Sequence, residues 1–415
     1  MKNKKFSLNE SHEFIGSWWL PNEPEIKIVG VLKYKAEVEI ELNLEGSFNT
    51  SEYEAIHGTA SGYSISLINS FSLSDNKFSN FLDYNPSKII SNIALIGAFY
   101  SKAQYEKIDS VDIELGDIKK WTTHSGFTTR YEDSKYFLEY KRPESIIFFD
   151  GTEVRIDLHS YAEGLHTPLP ERAFICEKSY FKITSKIDID RFNYLIYTDG
   201  LRKFLTLASR TNIDYENICF NDEEKLCSIL FIYPKTSIQY PSKTLSTKYS
   251  FFTLLSLSNV SYHFDCWIKS QERAPEAINL YFYDIDGMPY LKFLAIAQSL
   301  EEIYRDAYAV TSYEKNLGYK NIIKQFYERF PVITNKFNTD SEKFSKTVGE
   351  HRDFFSHWFD KKKDSIYSGI EFDILRRDIN ILFEMCLLEQ CGFSIENVQA
   401  MVDKCLHYVN YIDQR

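Results

Sequence analysis

The segment from 351 to 357 reads HRDFFSH and places Arg352 five residues before His357. A histidine titrates near neutral pH and can transfer protons, whereas an arginine stays charged and its planar fork binds phosphate oxygens. With 14 Arg and 9 His in 415 residues, chance gives about 0.3 such pairs, so the spacing alone is a weak indication. It is the only such pair in the chain, and its chemistry would suit a phosphate ester.

A helix is predicted to carry this pair. Thr339, Asp340, Ser341 and Glu342 have the spacing of a capping box, which predicts a helix from 339 to about 359. At about 100° per residue, four apolar side chains form one stripe along that helix, namely Phe344, Val348, Phe355 and Phe359. His357 projects roughly 160° away from the middle of the stripe, so we expect an exposed imidazole.

Two neighbouring positions complete the candidate site. Arg352 lies at the edge of the apolar stripe, where its stem can pack while its charged head reaches outward. Asp353 precedes His357 by one helical turn and lies on the same side, so it can contact the imidazole. The alternative interpretation is an exposed Arg–Asp–His cluster that has no role.

The last third of the chain is predicted to be an all-α bundle, over 285–415. Apolar residues recur there at steps of three and four, with Pro331, Gly392 and a Ser394 cap as helix boundaries. The predicted helices cover 291–309, 319–330, 339–359, 371–390 and the residues that follow Ser394. The fourth is apolar on nearly every side, which indicates a central helix.

The Arg-x4-His spacing, with a polar residue after the Arg, resembles the signature of HEPN-domain ribonucleases. The resemblance covers the whole bundle, including the helix that carries Leu300-Glu301-Glu302. It implies that two HEPN domains pair as a homodimer, with both motifs facing one cleft, and that they cleave RNA without a metal or other cofactor. On this resemblance His357 is the general acid and base, Arg352 holds the phosphate, and the RNA supplies its own 2′-OH.

Asp353 departs from the resemblance, because asparagine is commonest after the Arg in this superfamily. It could orient His357, but it also places a negative charge near an anionic substrate. Lys361, Lys362 and Lys363 follow the motif and could contact RNA or simply form a solvated face. From 324 to 364 there are nine Lys and Arg against seven Asp and Glu, a net charge of +2, which leaves −13 for the rest of the chain.

The first two thirds, over 1–270, are predicted to be β-rich. Strand-like runs cover 35–48, 63–68, 111–115, 145–149, 181–189 and 228–233, with turn signals between them. Short strands separated by turns favour antiparallel sheets, in a sandwich-like or a barrel-like arrangement, with a possible subdomain break near 125–145. The chain is therefore predicted to be an α+β protein of several domains, whose β-rich and helical parts meet between 235 and 288.

A series of short motifs runs through the β-rich part. It comprises FIGSWWLP from Phe14 to Pro21, Val29-Gly30-Val31-Leu32, Ile56-His57-Gly58, the segment from 93 to 99 and a strand that ends at Trp121. The series resembles the N-terminal domain of the ApeA family of bacterial anti-phage proteins, most clearly over 14–125. The alternative interpretation is that the tryptophans only fill a β-sandwich core.

ApeA proteins join this N-terminal domain to a HEPN domain, so the two resemblances occur in the expected order. They imply an abortive-infection effector whose N-terminal region senses or regulates. The candidate RNA target is tRNA, because its unstacked loop bases are accessible, and the candidate trigger is a phage-encoded protein.

Composition excludes several other classes. The formal net charge is −11, which excludes a protein that coats nucleic acid indiscriminately. Seven dispersed cysteines without CxxC indicate a reducing compartment, and Asp157, His159 and His166 lack a recognised metal-ligand spacing. No apolar run approaches the roughly 18 residues of a membrane span, so we expect a soluble, cytoplasmic protein.

Two classes of function stay open. In the first, the chain is an endoribonuclease that acts on infection. In the second, the HEPN bundle is catalytically silent and serves as a scaffold, while the β-rich part binds a protein or carbohydrate. The intact pair of Arg352 and His357 favours the first class, and Asp353 together with the acidic net charge leaves room for the second.

Overall fold

The computed structural model describes residues 5–48, 50–73, 86–105, 108–116, 118–164, 175–187, 191–222, 225–235, 248–282, 288–357, 366–405 and 408. The chain folds into two compact units that are interleaved in sequence. The first unit comprises Met1–Gly116, His124–Thr198 and Asp214–Lys235. The second unit comprises Asp117–Thr123, Asp199–Ile213 and Thr236–Arg415.

The strands lie in the first unit. In chain order they are β1 (His12–Trp19), β2 (Ile28–Lys35), β3 (Glu39–Leu44), β4 (Glu52–Ala60), β5 (Tyr63–Ser72), β6 (Ser87–Ile96), β7 (Ser110–Leu115), β8 (Phe127–Glu132), β9 (Lys135–Tyr140), β10 (Ile146–Asp150), β11 (Val154–Gly164), β12 (Ile175–Ser185), β13 (Tyr215–Asp222) and β14 (Lys225–Phe231).

Twelve of these strands form one sheet in the order β10-β11-β12-β7-β13-β14-β6-β3-β2-β1-β4-β5, and β5 also pairs with β6. That extra pairing closes β6, β3, β2, β1, β4 and β5 into a six-stranded antiparallel barrel, beside which the other strands continue. Strands β8 and β9 form a separate hairpin. The predicted antiparallel β-rich region is confirmed, and of the two arrangements that the sequence favours, sandwich-like or barrel-like, the structure shows the barrel.

Hydrophobic alternation explains the third strand of the barrel. Ile40, Leu42 and Leu44 are buried on β3, as the period-two pattern of the sequence predicts. Val38, which belongs to the same alternating run, is 66% exposed because it lies in the turn between β2 and β3. The predicted run over 35–48 is therefore the end of one strand, a turn and a second strand.

The tryptophan motif contributes to the interior of the barrel. Trp18 is fully buried, and its indole Nε1 donates a hydrogen bond to the Gly30 carbonyl at 3.2 Å. Gly58 on β4 makes room for this ring, because a Cβ atom there would lie 2.2 Å from Trp18. Part of the motif is thus explained by packing.

The helices, in chain order, are α1 (Lys102–Tyr105), α2 (Lys119–Thr122), α3 (Arg191–Ser209), α4 (Val260–Arg273), α5 (Pro275–Phe282), α6 (Pro289–Ile303), α7 (Ser312–Lys315), α8 (Tyr319–Arg329), α9 (Pro331–Thr334), α10 (Ser341–His357), α11 (Gly369–Gln390) and α12 (Ile395–Lys404). A π-helical turn, Tyr304–Tyr308, follows α6. Short 3-10 turns cover Leu254–Ser256 and Asn335–Phe337. In the described ranges, no helix has the length and apolar character that a bilayer span requires.

The five predicted helices of the bundle correspond to α6, α8, α10, α11 and α12. The predicted Ser394 cap is present, since its side chain accepts a hydrogen bond from the backbone N–H of Asn397. Gly392 follows α11 with a φ of +85°, a conformation that glycine adopts without strain. Helix α11 is buried along nearly the whole of its second half, which agrees with a central position in the second unit.

Three features differ from the prediction. Among the described residues the last strand ends at Phe231, and helices α4 and α5 precede the expected start at 285. Trp121 lies in the short helix α2 rather than at the end of a strand. Helix α3 interrupts the β-rich part: it belongs to the first unit up to Thr198 and to the second from Asp199.

Gly200 explains why α3 escapes a sequence-based prediction. Glycine inside a helical pattern normally lowers helix propensity. Here a Cβ atom would lie 2.6 Å from Cδ1 of Ile268, and the Gly200 carbonyl accepts a hydrogen bond from the indole of Trp267 at 2.8 Å. The missing side chain therefore allows α4 to pack closely against α3.

Candidate active site

Helix α10 carries the Arg-x4-His motif, and Asp340 caps the N-terminus of this helix. The Oδ1 atom of Asp340 accepts a hydrogen bond from the backbone N–H of Lys343 at 2.7 Å, which is the contact of an N-cap residue. The helix accordingly starts at Ser341, later than the predicted start at Thr339. The described part of α10 ends at His357.

Close packing and a buried histidine fix the middle of α10. A Cβ atom on Gly349 would lie 3.0 Å from Cγ of Lys320, so the glycine permits a close approach of α8. His351 is fully buried, its Nδ1 lies 2.8 Å from the Thr347 carbonyl, and its Nε2 accepts a hydrogen bond from the backbone N–H of Tyr367 at 2.8 Å. These contacts assign the proton to Nδ1 and connect α10 to the segment before α11.

Burial also lowers the pKa of His351, and only the hydrogen bond to Thr347 and the charge of Glu350 oppose the shift. The residue is therefore a neutral structural histidine. Its role is distinct from that of His357, six residues further along the same helix.

Arg352 is held by contacts from three directions. Its Nη2 atom donates to Oε2 of Glu301 on α6 at 3.2 Å, and its Nη1 atom lies 3.5 Å from Oδ1 of Asp353. The guanidinium carbon lies 5.1 Å from the centre of the Tyr319 ring on α8, a cation–π geometry. The side chain keeps 28% of its surface exposed, so the head is positioned but accessible.

The Glu301 carboxylate binds two arginines, one through each oxygen. Its Oε1 atom accepts a hydrogen bond from Nη2 of Arg305 at 2.7 Å, while its Oε2 atom contacts Arg352. The hydroxyl of Tyr319 and the Nε atom of Arg352 are buried and make no hydrogen bond with the part of the chain that is described. Burial raises the pKa of Tyr319, so its hydroxyl stays protonated at neutral pH.

His357 is exposed at the end of α10, in agreement with the helical projection. Phe344 and Val348 are buried on the apolar stripe, and Phe355 is half-buried against Phe293, with 6.0 Å between the ring centres. Phe359, the fourth member of the stripe, lies outside the described residues, as do Lys361–Lys363. The expected contact between Asp353 and the imidazole of His357 stays a prediction.

Arg352 and His357 leave α10 in different directions. Five residues correspond to a rise of about 7.5 Å and a rotation of roughly 140° along an α-helix. The guanidinium is anchored toward α6 and α8, whereas the imidazole is exposed.

The expectation about metals concerned a different part of the chain. The carboxylate of Asp157 accepts hydrogen bonds from Arg155 at 2.8 and 2.9 Å, and His159 stacks on Tyr180 at 5.1 Å. His166 lies outside the described residues. Among those that are described, no three His, Cys, Asp or Glu side chains cluster in a way that could hold a metal ion.

Three residues that shape this site are not among those that the sequence predicts to act there. Glu301 belongs to the segment that resembles HEPN domains, but the sequence does not identify it as a partner of Arg352, and it predicts no function for Tyr319 or His351. Glu301 and Tyr319 lie 51 and 33 positions before Arg352 in sequence, so their proximity depends on tertiary packing. His351 lies three and seven residues after the buried Val348 and Phe344, so helical spacing alone places it on the buried face.

Comparison with known families gives two matches. The family model described as ApeA N-terminal domain 1 matches residues 13–269, and the model described as Apea-like HEPN matches residues 288–397. The HEPN match contains Glu301, Tyr319, Arg352 and His357. Neither a curated protein nor a solved structure matches the chain.

Proposed function

Because the chain belongs to the ApeA family of anti-phage defence proteins, we propose that its helical unit is an endoribonuclease that acts on infection. The observation that carries this proposal is the motif on α10. An exposed His357 and an anchored, accessible Arg352 lie on one helix of the HEPN domain. The two side chains supply proton transfer and a permanent positive charge, which RNA cleavage requires.

The reaction uses the nucleophile that RNA already contains. The imidazole of His357 takes the proton of the 2′-OH, and the oxygen attacks the neighbouring phosphorus. Arg352 stabilises the negative charge that builds on the phosphoryl oxygens. The bond from phosphorus to the 5′ oxygen breaks, and that oxygen takes a proton from a protonated imidazole. The products are a 2′,3′-cyclic phosphate and a 5′-OH end, and the mechanism uses no metal or cofactor.

A homodimer through the HEPN domain provides the two histidines that this sequence of steps uses. One copy of His357 accepts the proton of the nucleophile, and the copy from the second chain protonates the leaving oxygen. The separation of roughly 140° between Arg352 and His357 on α10 supports this composite site. The positive charges of Lys361, Lys362 and Lys363, which follow the motif in sequence, are proposed to add electrostatic affinity for RNA.

In this proposal the β-rich unit senses the infection. We place the protein in the cytoplasm, with tRNA as the candidate target and a phage-encoded protein as a candidate trigger. The second candidate function is a silent HEPN scaffold, and one observation favours it. Two carboxylates, Glu301 at 3.2 Å and Asp353 at 3.5 Å, already pair with the Arg352 guanidinium that would bind phosphate.

Phage challenge of bacteria that carry matched variants tests the proposal. The set comprises the wild type, Arg352→Ala, His357→Ala and Lys346→Ala, the last being an exposed cation on the same helix. We expect the wild type and Lys346→Ala to restrict phage and to accumulate cleaved RNA, whereas both motif variants do neither. Equal protection by all four would exclude the nuclease mechanism and leave the scaffold.

The purified proteins give the chemical test. Cleavage is measured with and without EDTA, and the RNA ends are identified. We expect unchanged cleavage in EDTA, a 2′,3′-cyclic phosphate and a 5′-OH. A loss of cleavage in EDTA, or a 5′-phosphate product, would contradict the mechanism even if phage protection persists.

A further inference from the structure

A second candidate site lies in the first unit, where the large sheet divides. One edge of β6 pairs with β5. The other edge pairs with β3 up to Ile90 and with β14 from Ile93 onward. The barrel and the remaining strands therefore part at Ser91 and Asn92, and a crevice opens there beside the first half of α3.

The crevice contains a cavity of about 260 Å³ with apolar walls. Val111, Ile218 and Ile229 form its buried floor, and Leu195 and Phe231 lie half-buried at its mouth. Pockets for drug-sized ligands usually span about 300–1,000 Å³. This cavity therefore suits a smaller molecule, with one ring system inside.

Two asparagines supply unused polar groups. Asn69 has a φ of +53°, and the ladder between β5 and β6 skips the position where Asn69 lies opposite Asn92. Both residues line the cavity, Asn69 half-buried and Asn92 exposed, and neither carboxamide makes a hydrogen bond with the part of the chain that the structure describes. Each can present an N–H donor beside a carbonyl acceptor.

Two hydroxyl groups also belong to residues that line the cavity, and both already donate hydrogen bonds within the protein. Tyr194 donates to the Asp109 carbonyl at 2.8 Å, and Thr198 donates to the Leu195 carbonyl at 3.0 Å. No Lys, Arg, His, Asp or Glu occurs among the described residues that line the cavity. A charged ligand group buried there would lose its hydration without gaining a charged partner. The part of the ligand that enters the cavity is therefore uncharged.

The strand edge at the crevice also disfavours a peptide. A peptide that binds as an extra strand forms a continuous row of backbone hydrogen bonds with the edge of the sheet. The unpaired gap on β6 covers only Ser91 and Asn92, between the partners β3 and β14. Two residues are too few for a peptide strand, so a small molecule is the better occupant.

We propose that this crevice binds a nucleobase, either free or within a nucleoside. A nucleobase has apolar faces, and its edge carries a donor beside an acceptor, which a carboxamide can match with two hydrogen bonds. Its faces would pack against Phe231 and the aliphatic wall. The inference goes beyond the proposed RNA cleavage and is independent of it, because the crevice and the Arg352 motif belong to different units.

Calorimetric titration of the full chain tests this site without any measurement of RNA cleavage. The probes are adenine, guanine, uracil and their nucleosides, with indole as a ring that lacks the paired donor and acceptor. We expect saturable binding of at least one base chemistry and weaker binding of indole. Comparison of free bases with nucleosides identifies which form the site takes.

Two pairs of proteins locate the binding. Leu195→Trp should fill the cavity and abolish binding, whereas Ile196→Trp, at the next and 50% exposed position of α3, should bind as the wild type does. Asn92→Ala should weaken binding about tenfold, as the loss of one or two hydrogen bonds predicts, and thermal unfolding verifies that each variant folds. The proposal is overturned if no base or nucleoside binds, if Leu195→Trp binds normally, or if Asn92→Ala leaves affinity unchanged.

Discussion

The Nη2 atom of Arg352 lies 3.2 Å from Oε2 of Glu301, so an ion pair connects the motif helix α10 to α6. The same carboxylate also holds Arg305, at 2.7 Å through its other oxygen. Because Arg352 further stacks on Tyr319, its guanidinium has little freedom to rotate. We infer that Glu301 positions the arginine for a phosphate on its open side.

The first prediction concerns that positioning. Glu301→Gln keeps a hydrogen-bond acceptor but removes the charge that orients Arg352, so kcat for RNA cleavage should fall about tenfold while KM changes less than about threefold. Steady-state kinetics on a defined RNA give both parameters. Glu302→Gln is the control, since it neutralises the neighbouring residue on α6. A lower KM with an unchanged kcat would instead mean that Glu301 competes with the RNA phosphate for Arg352.

The second prediction concerns the unusual acid beside the arginine. Asp353→Asn removes a negative charge 3.5 Å from Nη1 of Arg352 and should tighten RNA binding about threefold at low salt. Binding is measured by fluorescence anisotropy over a salt series, because the gain should shrink as salt screens the charges. Glu350→Gln, on the same helix, controls for net charge. Weaker cleavage by Asp353→Asn would show that the carboxylate has a positive role, such as orienting His357.

The third prediction separates the ring of Tyr319 from its hydroxyl. The hydroxyl is buried without a hydrogen-bond partner in the described residues, so Tyr319→Phe should be neutral or stabilising by about 1 kcal/mol. It keeps the ring under Arg352 and should keep the activity. Tyr319→Leu removes the cation–π contact and should lower kcat. Denaturant unfolding and kinetics on both variants check this, and a loss of activity in Tyr319→Phe would assign the hydroxyl a part in RNA binding.

The fourth prediction is a pH dependence of stability. Burial lowers the pKa of His351 in the folded chain below its value of about 6.5 in the unfolded chain. The unfolded state therefore binds more protons, and the stabilisation by neutral His351 is complete above about pH 6.5 and is lost as the pH falls through the folded-state pKa. We expect His351→Gln to unfold more easily at pH 7.5 but to lose less further stability on acidification.

Denaturant unfolding of the wild type and His351→Gln at several pH values between about 5 and 7.5 gives this comparison. His357→Gln is the matched control on the same helix, because its side chain is exposed. Parallel pH profiles for the wild type and His351→Gln would refute the assignment of a buried neutral imidazole.

Local patterns in the sequence predict part of the fold and less of the site. The helix of Arg352 and His357 follows from hydrophobic periodicity, and Ser394 gives a correct cap because capping is a local interaction. The barrel also requires β1 to pair with β4 and β3 to pair with β6, strands that are not consecutive in the chain, and no local pattern encodes these pairings. Likewise, the Glu301 partner of Arg352 lies 51 residues away in sequence, so only tertiary packing brings the two together.

The fifth prediction concerns a buried ion pair in the second unit. Arg210, at 1% exposure, bonds to the fully buried Glu384 of α11, and the hydroxyls of Tyr281 and Tyr408 donate to the same carboxylate. Arg210→Met leaves that carboxylate buried without its cation and should destabilise the chain by about 3–5 kcal/mol. Adding Glu384→Gln removes the charge and keeps one acceptor oxygen, while the hydroxyl on the other side can accept a hydrogen bond from the new amide N–H. The double variant should therefore recover much of the loss.

Urea unfolding of the wild type, both single variants and the double variant forms a double-mutant cycle that measures the coupling. Lys324→Met is the surface control, since the ion pair of Lys324 with Glu342 is exposed and its loss should change stability little. Because Arg210 follows α3 and Glu384 lies on the central helix α11, the cycle reports how firmly the interleaved segment Asp199–Ile213 is held in the helical unit. Additive losses in the two single variants would mean that the pair contributes no coupling and that other contacts hold this segment.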